Sequence, residues 1–458
     1  MTVQSLAREK RSRRHIRAPL LPQKYDQSDC HDSVSGAVFN LSTTIVGAGI
    51  MALPATIKVL GLIPGIVMIL LAALLTEYSI GVLLRFGRAG YAVSPKVATA
   101  NSYFGVVAEA FGGTGRMLSQ VLIVSNNLGM LVVYMIIIGD VLSGTSSDGT
   151  HHPGVLEGWF GQQWWTRRSF ILLLTTLFVF SPLISLKRLD SLSYTSALSV
   201  ALAVVFVVIT AAVAVLKLID GSVGMPRLLP EINDQASFWK LFSTVPVLVT
   251  AYICHYNIFP IENELKDPTK MKSIVRTSLV MCSTVYVATS FFGFLLFGDD
   301  TLDDILANFD TDLELPHSAL INDIVRVSYA VHLMMVFPIV FFSLRLNFDG
   351  LLFPHSGPIS FDGRRFFSLT VVLMGVTFLG ANYVPSIWDA FQFTGATATV
   401  SIGFIFPAAI ALRDIYGIAT KKDRILSWIM ILLAVSSSTV ALSSDIYSMF
   451  KEDDSPAI

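Results

Sequence analysis

Apolar side chains in this chain come in long, nearly uninterrupted runs, and polar residues gather between the runs. A helix needs about 20 apolar residues to cross about 30 Å of hydrocarbon. The runs therefore predict an all-α integral membrane protein with about eleven transmembrane helices. The predicted spans cover residues 34–57, 61–84, 116–141, 169–186, 190–216, 239–261, 275–298, 322–344, 365–383, 387–412 and 425–448.

Composition agrees with this pattern and narrows the classes of function. Hydrophobic residues make up 53% of the chain and charged residues only 14%, whereas a soluble domain has about 25% charged residues because water must wet its surface. The sequence has no nucleophile–base pattern, phosphate-binding loop or metal-ligand cluster. We therefore expect no enzyme, cofactor, metal or nucleic acid partner, and a lipid bilayer as the surroundings.

The distribution of Lys and Arg predicts the orientation of the spans. With the N-terminus in the cytoplasm, the inner segments carry 24 of these residues and the outer segments carry 6. Inner loops of membrane proteins are enriched in Lys and Arg. Residues 1–32 are thus expected to form a basic cytoplasmic tail, and an odd number of spans places the C-terminus outside.

The first span contains residues that disfavour a continuous helix. Gly47 and Gly49 lie close to mid-membrane, and Pro54 removes a backbone donor. Glycine costs about 1 kcal/mol relative to alanine inside a helix. A break here must line a cavity in the protein, because unpaired backbone groups cannot face lipid. The freed N–H groups suit a carboxylate and the freed carbonyls suit an ammonium group; the alternative is a Gly-x-Gly packing notch.

The sixth span has a similar pattern, with Pro246 and Pro260 on either side of a polar centre at residues 250–257. The two interrupted spans stand five helices apart, and five is odd, so two five-helix repeats would have opposite orientations. Breaks at matching places in inverted halves point to a transport site. The predicted units are the tail at 1–32, a first repeat at 33–217, a second repeat at 218–413, and an eleventh helix with an outward tail at 414–458.

Short motifs follow one another along most of the chain. They are Phe39-Asn40-Leu41-Ser42, Gly47-Ala48-Gly49-Ile50, Asn127-Leu128-Gly129-Met130, Tyr194-Thr195-Ser196, Cys254-His255, Pro260-Ile261, Glu264-Leu265, Phe297-Gly298-Asp299, Gly395-Ala396-Thr397 and Pro407. In this order they resemble the amino acid/auxin permease family, especially its sodium-coupled neutral and vacuolar amino acid transporter branches. The resemblance implies the leucine-transporter-type five-plus-five inverted repeat with one extra helix, and secondary active transport of amino acids.

One departure from that family bears on the coupling ion. In the sodium-coupled branch a threonine of the eighth span helps to bind the ion, but residues 330–338 contain no threonine. Asn40 does match the family's sodium-linked asparagine. We therefore expect coupling to protons, with a sodium-coupled carrier as the alternative.

The candidate site residues cluster at the two interrupted spans. The candidates for substrate binding are Asn40, Thr44, Gly47, Ala48, Gly49, Ile50, Asn127, Thr250, Cys254 and Thr397. The candidates for carrying a coupled proton are His255, His332 and Glu77, since ionisable groups inside a membrane mark relays or structural anchors. A neutral histidine bonded to nearby backbone is the structural alternative for both histidines.

The predicted pocket has no fixed charge to face a charged substrate side chain, so neutral amino acids are the expected substrates. A sensor that binds an amino acid and signals without transport is a second alternative from another class. The resemblance allows the vacuole, another endomembrane or the plasma membrane. The particular amino acid, the direction of transport and the oligomeric state stay open.

Overall fold

The computed structural model describes residues 33–93, 102–147, 150–310, 313, 315–384 and 394–453. The basic tail at 1–32 and the first residues of the predicted tenth span lie outside the described residues. In chain order the helices are α1 (Val34–Ile45), α2 (Gly49–Leu60), α3 (Leu62–Val93), α4 (Tyr103–Ser143), α5 (Val155–Phe160), α6 (Arg168–Ile184), α7 (Ser193–Asp220), α8 (Gln235–Ala251), α9 (His255–Glu264), α10 (Met271–Phe297), α11 (Ile305–Asn308), α12 (Ser318–Leu352), α13 (Gly363–Tyr383), α14 (Gly395–Arg413) and α15 (Lys421–Asp453).

The described helices account for all eleven predicted spans. Nine segments are long and apolar enough to cross a membrane, and α1 with α2 adds a tenth as a pair bent by 55°. The fourth predicted span corresponds to the shorter apolar helix α6. The sixth span consists of α8 and α9 together. An integral membrane protein built from helices is therefore confirmed.

Strands occur in one short connection of the described chain. Strands β1 (Gly144–Ser147) and β2 (Thr150–Pro153) pair antiparallel between the third and fourth spans. The hydrophobic pattern did not predict this hairpin. It lies in a connection, so it leaves the helical membrane core unchanged.

Two of the membrane helices widen locally before a proline. In α6 a π-helical turn covers Thr176–Phe180 ahead of Pro182, and in α14 another covers Ser401–Ile405 ahead of Pro407. Proline has no N–H and its ring crowds the carbonyl four residues earlier. A π turn absorbs this mismatch without ending the helix.

The core of the bundle lies around the eighth span. Helix α12 is more deeply buried than any other described span and runs beside α4 and α7. Phe180 of α6 stacks on Phe337 of α12 with ring centroids 3.9 Å apart. Helix α1 packs against α7 and α10. The interrupted first span is thus enclosed by other helices, as backbone exposed at membrane depth requires.

The connection between the seventh and eighth spans places a carboxyl group in a largely buried position. Asp304 caps α11, and its Oδ1 accepts a hydrogen bond from the Leu306 N–H at 2.9 Å. Burial raises the pKa of Asp304 from 3.8 to about 6, and the nearby carboxyls of Asp140 and Asp303 act in the same direction. The folded protein therefore holds this proton more tightly than the unfolded chain.

Asp304→Asn is expected to flatten the pH dependence of stability. A raised folded-state pKa contributes stability that is complete below about pH 4 and is lost as pH rises through about 6. The measurement is the thermal unfolding midpoint of the full-length protein in detergent between pH 4 and pH 7. The exposed Asp300 gives the control, Asp300→Asn, which should keep the wild-type slope; an unchanged slope in Asp304→Asn would contradict the prediction.

Candidate functional site

The first span is interrupted at residues 46–48, hereafter the first break. Helix α1 ends at Ile45, Val46 is extended, and α2 begins at Gly49. The Val46 N–H still donates to the Ser42 carbonyl at 2.8 Å, and the Ile50 N–H donates to the Gly47 carbonyl at 3.3 Å. The interruption predicted from the glycine pair is present, although Ile50 has already used its donor.

The sixth span is interrupted at residues 252–254, hereafter the second break. Helix α8 ends at Ala251 and α9 begins at His255, with Cys254 as the residue before it. Every residue from Val245 to Phe259 is buried. The second break therefore lies inside the bundle and not on its lipid-facing surface.

The two breaks touch each other. A Cβ built on Gly49 would lie 2.7 Å from the Ala251 Cα, which is closer than real side chains approach. The Asn257 side chain also donates to the Thr44 hydroxyl at 3.1 Å, and that hydroxyl donates to the Asn40 carbonyl at 2.9 Å. Glycine at position 49 is what allows the two interrupted helices to meet at matching depths.

Three buried tyrosines surround the breaks, and their hydroxyls meet the freed backbone groups. Tyr134 of the third span forms a hydrogen bond with the Ala48 backbone. Tyr329 of the eighth span donates to the Gly47 carbonyl at 2.9 Å. A Cβ on Gly47 would collide with the Tyr134 hydroxyl, so this glycine leaves room for the ring.

The third tyrosine joins the two breaks. The Tyr286 hydroxyl of the seventh span lies 2.6 Å from the Ile45 carbonyl oxygen and 2.6 Å from the Ala251 carbonyl oxygen. One carbonyl comes from each interrupted helix, so both point at the same place. The sequence analysis missed all three tyrosines. The available signal was a tyrosine inside an apolar span, which needs a partner for its hydroxyl when buried.

Other predicted residues lie near the breaks but use their polar groups elsewhere. Thr250 donates to the Pro246 carbonyl of its own helix at 2.8 Å. A Cβ on Gly395 would lie 2.7 Å from the Thr250 hydroxyl, so the tenth span lies directly against this part of α8. Cys254 is a free, fully buried thiol.

The predicted polar residues of the third and tenth spans form a chain of their own. Thr399 donates to Asn126 at 2.6 Å, and the Asn126 amide donates to Asn127 at 3.0 Å. The Asn127 Nδ2 is buried and has no partner among the described residues. Thr397 is partly exposed, and its carbonyl accepts from Ser401. Among the described side chains, Thr399 rather than Thr397 is the hydroxyl that joins the third and tenth spans.

Below the first break, Asn40 belongs to a clasp. Its Nδ2 donates to the Leu189 carbonyl at 3.1 Å. The carboxylate of Glu264, at the end of the sixth span, accepts from the N–H groups of Leu189 and Asp190 at 3.0 and 2.6 Å. We name Asn40, Glu264 and the Leu189–Asp190 turn the clasp; it ties the first and sixth spans to the start of the fifth on the face where α1 begins, the N-terminal face.

His255 bonds to a neighbouring helix. Its Nε2 lies 2.6 Å from the Ser79 hydroxyl, which donates to the Gly403 carbonyl at 2.6 Å. Because a hydroxyl has one proton, Nε2 is the donor in the histidine–serine bond. Nδ1 has no partner within the described part of the chain.

His332 lies closer to the first break. Its Nδ1 is 2.8 Å from the Ser199 carbonyl oxygen, and its ring stacks on Tyr329 with centroids 5.2 Å apart. The Val46 carbonyl of the break lies beside the ring. Nε2 is buried and makes no hydrogen bond to a described residue. The third candidate, Glu77, lies apart from both breaks, in a groove of about 730 Å³ between the second and seventh spans.

Comparison with known proteins decides the family. The family model described as transmembrane amino acid transporter protein matches residues 31–446. The chain belongs to this family. It is 59% identical over 443 residues to amino acid transporter AVT6A of Arabidopsis thaliana, covering 96% of this chain and 95% of that protein. It is 58% identical over 442 residues to AVT6B of the same plant, covering 95% of each.

Solved structures agree on the fold of this transporter. A Na⁺-coupled sialic acid symporter matches with a TM-score of 0.54 at 12% identity, covering 94% of this chain and 92% of that one. A manganese transporter of Eremococcus coleocola matches with a TM-score of 0.57 at 11% identity, covering 95% and 91%. Identities this low carry the fold alone. The transporter has the leucine-transporter-type fold and is a multi-pass secondary amino acid transporter, not an enzyme.

Gly49→Ala is expected to destabilise the transporter by about 1–3 kcal/mol, because the added Cβ would press on the Ala251 backbone. The matched control is Gly81→Ala in α3, where the added Cβ has nothing within 4 Å and should stabilise the helix by up to about 1 kcal/mol. Thermal unfolding midpoints in detergent compare the two. Equal midpoints would contradict the close approach of the breaks.

Proposed function

We propose that this transporter carries neutral amino acids together with protons, by alternating access, with the substrate bound where the two breaks meet. The observation that carries this proposal is the convergence of the Ile45 and Ala251 carbonyls on one point, now filled by the Tyr286 hydroxyl. Carbonyls from two interrupted helices that aim at a shared point are a suitable receptor for an ammonium group.

The chemistry of the two groups favours an amine at this point. A phenol hydroxyl has one proton and can fully satisfy one carbonyl, whereas an ammonium group has three donors. An ammonium that replaced the hydroxyl of Tyr286 could donate to Ile45 and Ala251 together. Tyr286 then serves as a placeholder that keeps both carbonyls hydrogen-bonded when substrate is absent.

The carboxylate would lie at the start of α2. No described backbone carbonyl accepts from the N–H groups of Gly47 or Gly49, and the N-terminus of a helix carries a partial positive charge. The Tyr134 hydroxyl at Ala48 supplies a further donor there. Donors at the start of α2 and acceptors at the ends of α1 and α8 match the two ends of a zwitterion.

The side chains around the breaks support a neutral substrate. Those that reach the freed backbone groups are the tyrosines at 134, 286 and 329, and the neighbouring polar groups belong to Thr44, Asn257 and His332. None carries a fixed charge. A charged substrate side chain would be left without a counter-charge at low dielectric, which is costly.

His332 is the proposed carrier of the coupled proton. A neutral imidazole has one N–H, and the Nδ1 position faces the Ser199 carbonyl. A second proton on Nε2 would create a donor beside the Val46 carbonyl of the first break. Protonation would thus add a hydrogen bond to the interrupted helix, which is how ion binding and substrate binding would be coupled.

Alternating access also needs a closure on each face. We infer from the bias of Lys and Arg that the N-terminal face is cytoplasmic. The clasp would then be the inner closure, since it joins the lower halves of both interrupted spans to the Leu189–Asp190 turn. Release of substrate inward would require these hydrogen bonds to open.

Tyr286→Phe tests the placeholder role. Loss of the hydroxyl leaves two buried carbonyls unpaired and is expected to cost about 1–3 kcal/mol of stability. A bound amino acid should restore these bonds, so the shift in unfolding midpoint on adding a transported amino acid should be larger in Tyr286→Phe than in wild type. Tyr252→Phe is the control, because its hydroxyl meets Ser283 and not a break carbonyl. A smaller shift in Tyr286→Phe than in the control would refute the placeholder.

Uptake into proteoliposomes tests the transport proposal. An inward proton gradient should raise uptake of neutral amino acids, and exchange of Na⁺ for choline at constant pH should leave uptake unchanged. His332→Gln should bring the ratio of uptake with and without the gradient to near one. His355→Gln, the same change in an exposed loop residue, should keep the wild-type ratio.

Each alternative predicts a different result in the same assay. Loss of uptake in choline would favour a sodium-coupled carrier. Saturable binding without any uptake would favour a sensor. A wild-type gradient ratio in His332→Gln would remove this histidine from the coupling mechanism.

A further inference from the structure

A second cavity, of about 150 Å³, lies near the N-terminal face. It is enclosed by the third, sixth and eighth spans and by the connections that precede the fifth and ninth spans. No residue of either break lines it. Three cationic side chains do: Arg116, Lys187 and Arg345.

Arg345 is a deeply buried cation with neutral partners. Only 2% of its surface is exposed. Its guanidinium donates to the Ile184 carbonyl at 2.7 Å and to the Thr370 hydroxyl at 3.0 Å, and it lies 3.9 Å from the centre of the Phe366 ring. No described carboxylate forms an ion pair with it. Removing a charge from water without a counter-charge is costly, so this position favours an anion.

The other two cations also lack an anionic partner among the described residues. Arg116 is half-buried, and its one recorded contact is the face of the Phe104 ring at 5.3 Å. Lys187 donates to the Ser360 carbonyl at 3.1 Å and lies 5.3 Å from the Phe366 ring. Three positive groups from three parts of the chain therefore face one small cavity with only neutral neighbours.

The two carboxylates that line the cavity are already engaged. Glu264 accepts the two backbone N–H groups of the clasp. Asp349 lies 3.0 Å from the Arg365 Nε. Neither forms an ion pair with Arg116, Lys187 or Arg345. The cavity therefore keeps an excess of positive charge that the protein itself does not balance.

We propose that this cavity binds a phosphate monoester. The planar guanidinium groups of arginine match phosphate oxygens, and lysine adds a point charge. The remaining walls include Phe342, Phe353 and Ile359, which would accommodate an apolar portion next to the phosphate. The phosphate could belong to an anionic lipid of the adjacent leaflet or to a soluble phosphate ester, and the same chemistry recognises both.

This site lies next to the clasp and apart from the transport site. Arg345 also donates to the Leu186 carbonyl at 3.3 Å, so it holds the segment that leads into the Leu189–Asp190 turn. A phosphate bound to Arg345 would reinforce that hold. Occupancy would therefore favour the state in which the N-terminal face is closed.

The experiment measures binding to the purified full-length protein in detergent by the shift of its unfolding midpoint. The probes are dioctanoyl phosphatidic acid, glycerol 3-phosphate and, as the zwitterionic comparison, dioctanoyl phosphatidylcholine. We expect saturable stabilisation by a monoester and none by phosphatidylcholine. Stabilisation by phosphatidic acid alone identifies a lipid as the source, and stabilisation by glycerol 3-phosphate identifies a soluble ester.

Variants assign the binding to this cavity. Arg116→Gln with Lys187→Gln should weaken monoester binding by about tenfold or more, as expected for the loss of two charge-assisted contacts. Arg345 is left intact because its removal would free the carbonyls before the clasp. The control, Lys272→Gln with Arg276→Gln, removes two exposed charges from the same face outside the cavity and should change binding by less than about twofold.

Three results would overturn the site. One is the absence of stabilisation by either monoester. Another is equal stabilisation by phosphatidylcholine, which would indicate a general lipid effect. The third is equal binding by the cavity variant and the control variant. None of these outcomes depends on transport, so the phosphate site and the proposed transport mechanism stand or fall separately.

Discussion

A backbone N–H or carbonyl group inside hydrocarbon has no water to bond to, and this constraint governs the centre of the molecule. Breaking two helices at mid-membrane frees such groups, and the protein must satisfy them. It does so with the hydroxyls of Tyr134, Tyr286 and Tyr329, which reach in from three other spans. The interrupted helices are therefore stable only in the company of these neighbours, and the site is a property of the whole bundle.

The two breaks behave as one structural unit. Gly49 allows the start of α2 to approach the end of α8, and Asn257 bonds to Thr44 across the same junction. A single tyrosine hydroxyl bridges carbonyls from both helices. A change in one interrupted span is thus transmitted directly to the other, which is what an alternating-access mechanism requires of its substrate site.

The parts of this architecture that depend on local sequence could be predicted, and the parts that depend on tertiary pairing could not. Long apolar runs located the spans, and Gly47 with Gly49 located the first break, because helix propensity and span length are local properties. The tyrosines escaped prediction since their partners are backbone groups hundreds of residues away. For the same reason the bond from Asn40 to Leu189, and the choice of Thr399 over Thr397 at the third span, required the folded chain.

The clasp has a consequence for the timing of the transport cycle. One short turn receives bonds from both interrupted helices, and it does so through adjacent residues, Leu189 and Asp190. Loosening one bond leaves the other to return the turn to its place. Passage through this face should then behave as a latch with an all-or-none release, in which brief partial fluctuations seldom let ions leak and the rare full release sets the pace of turnover.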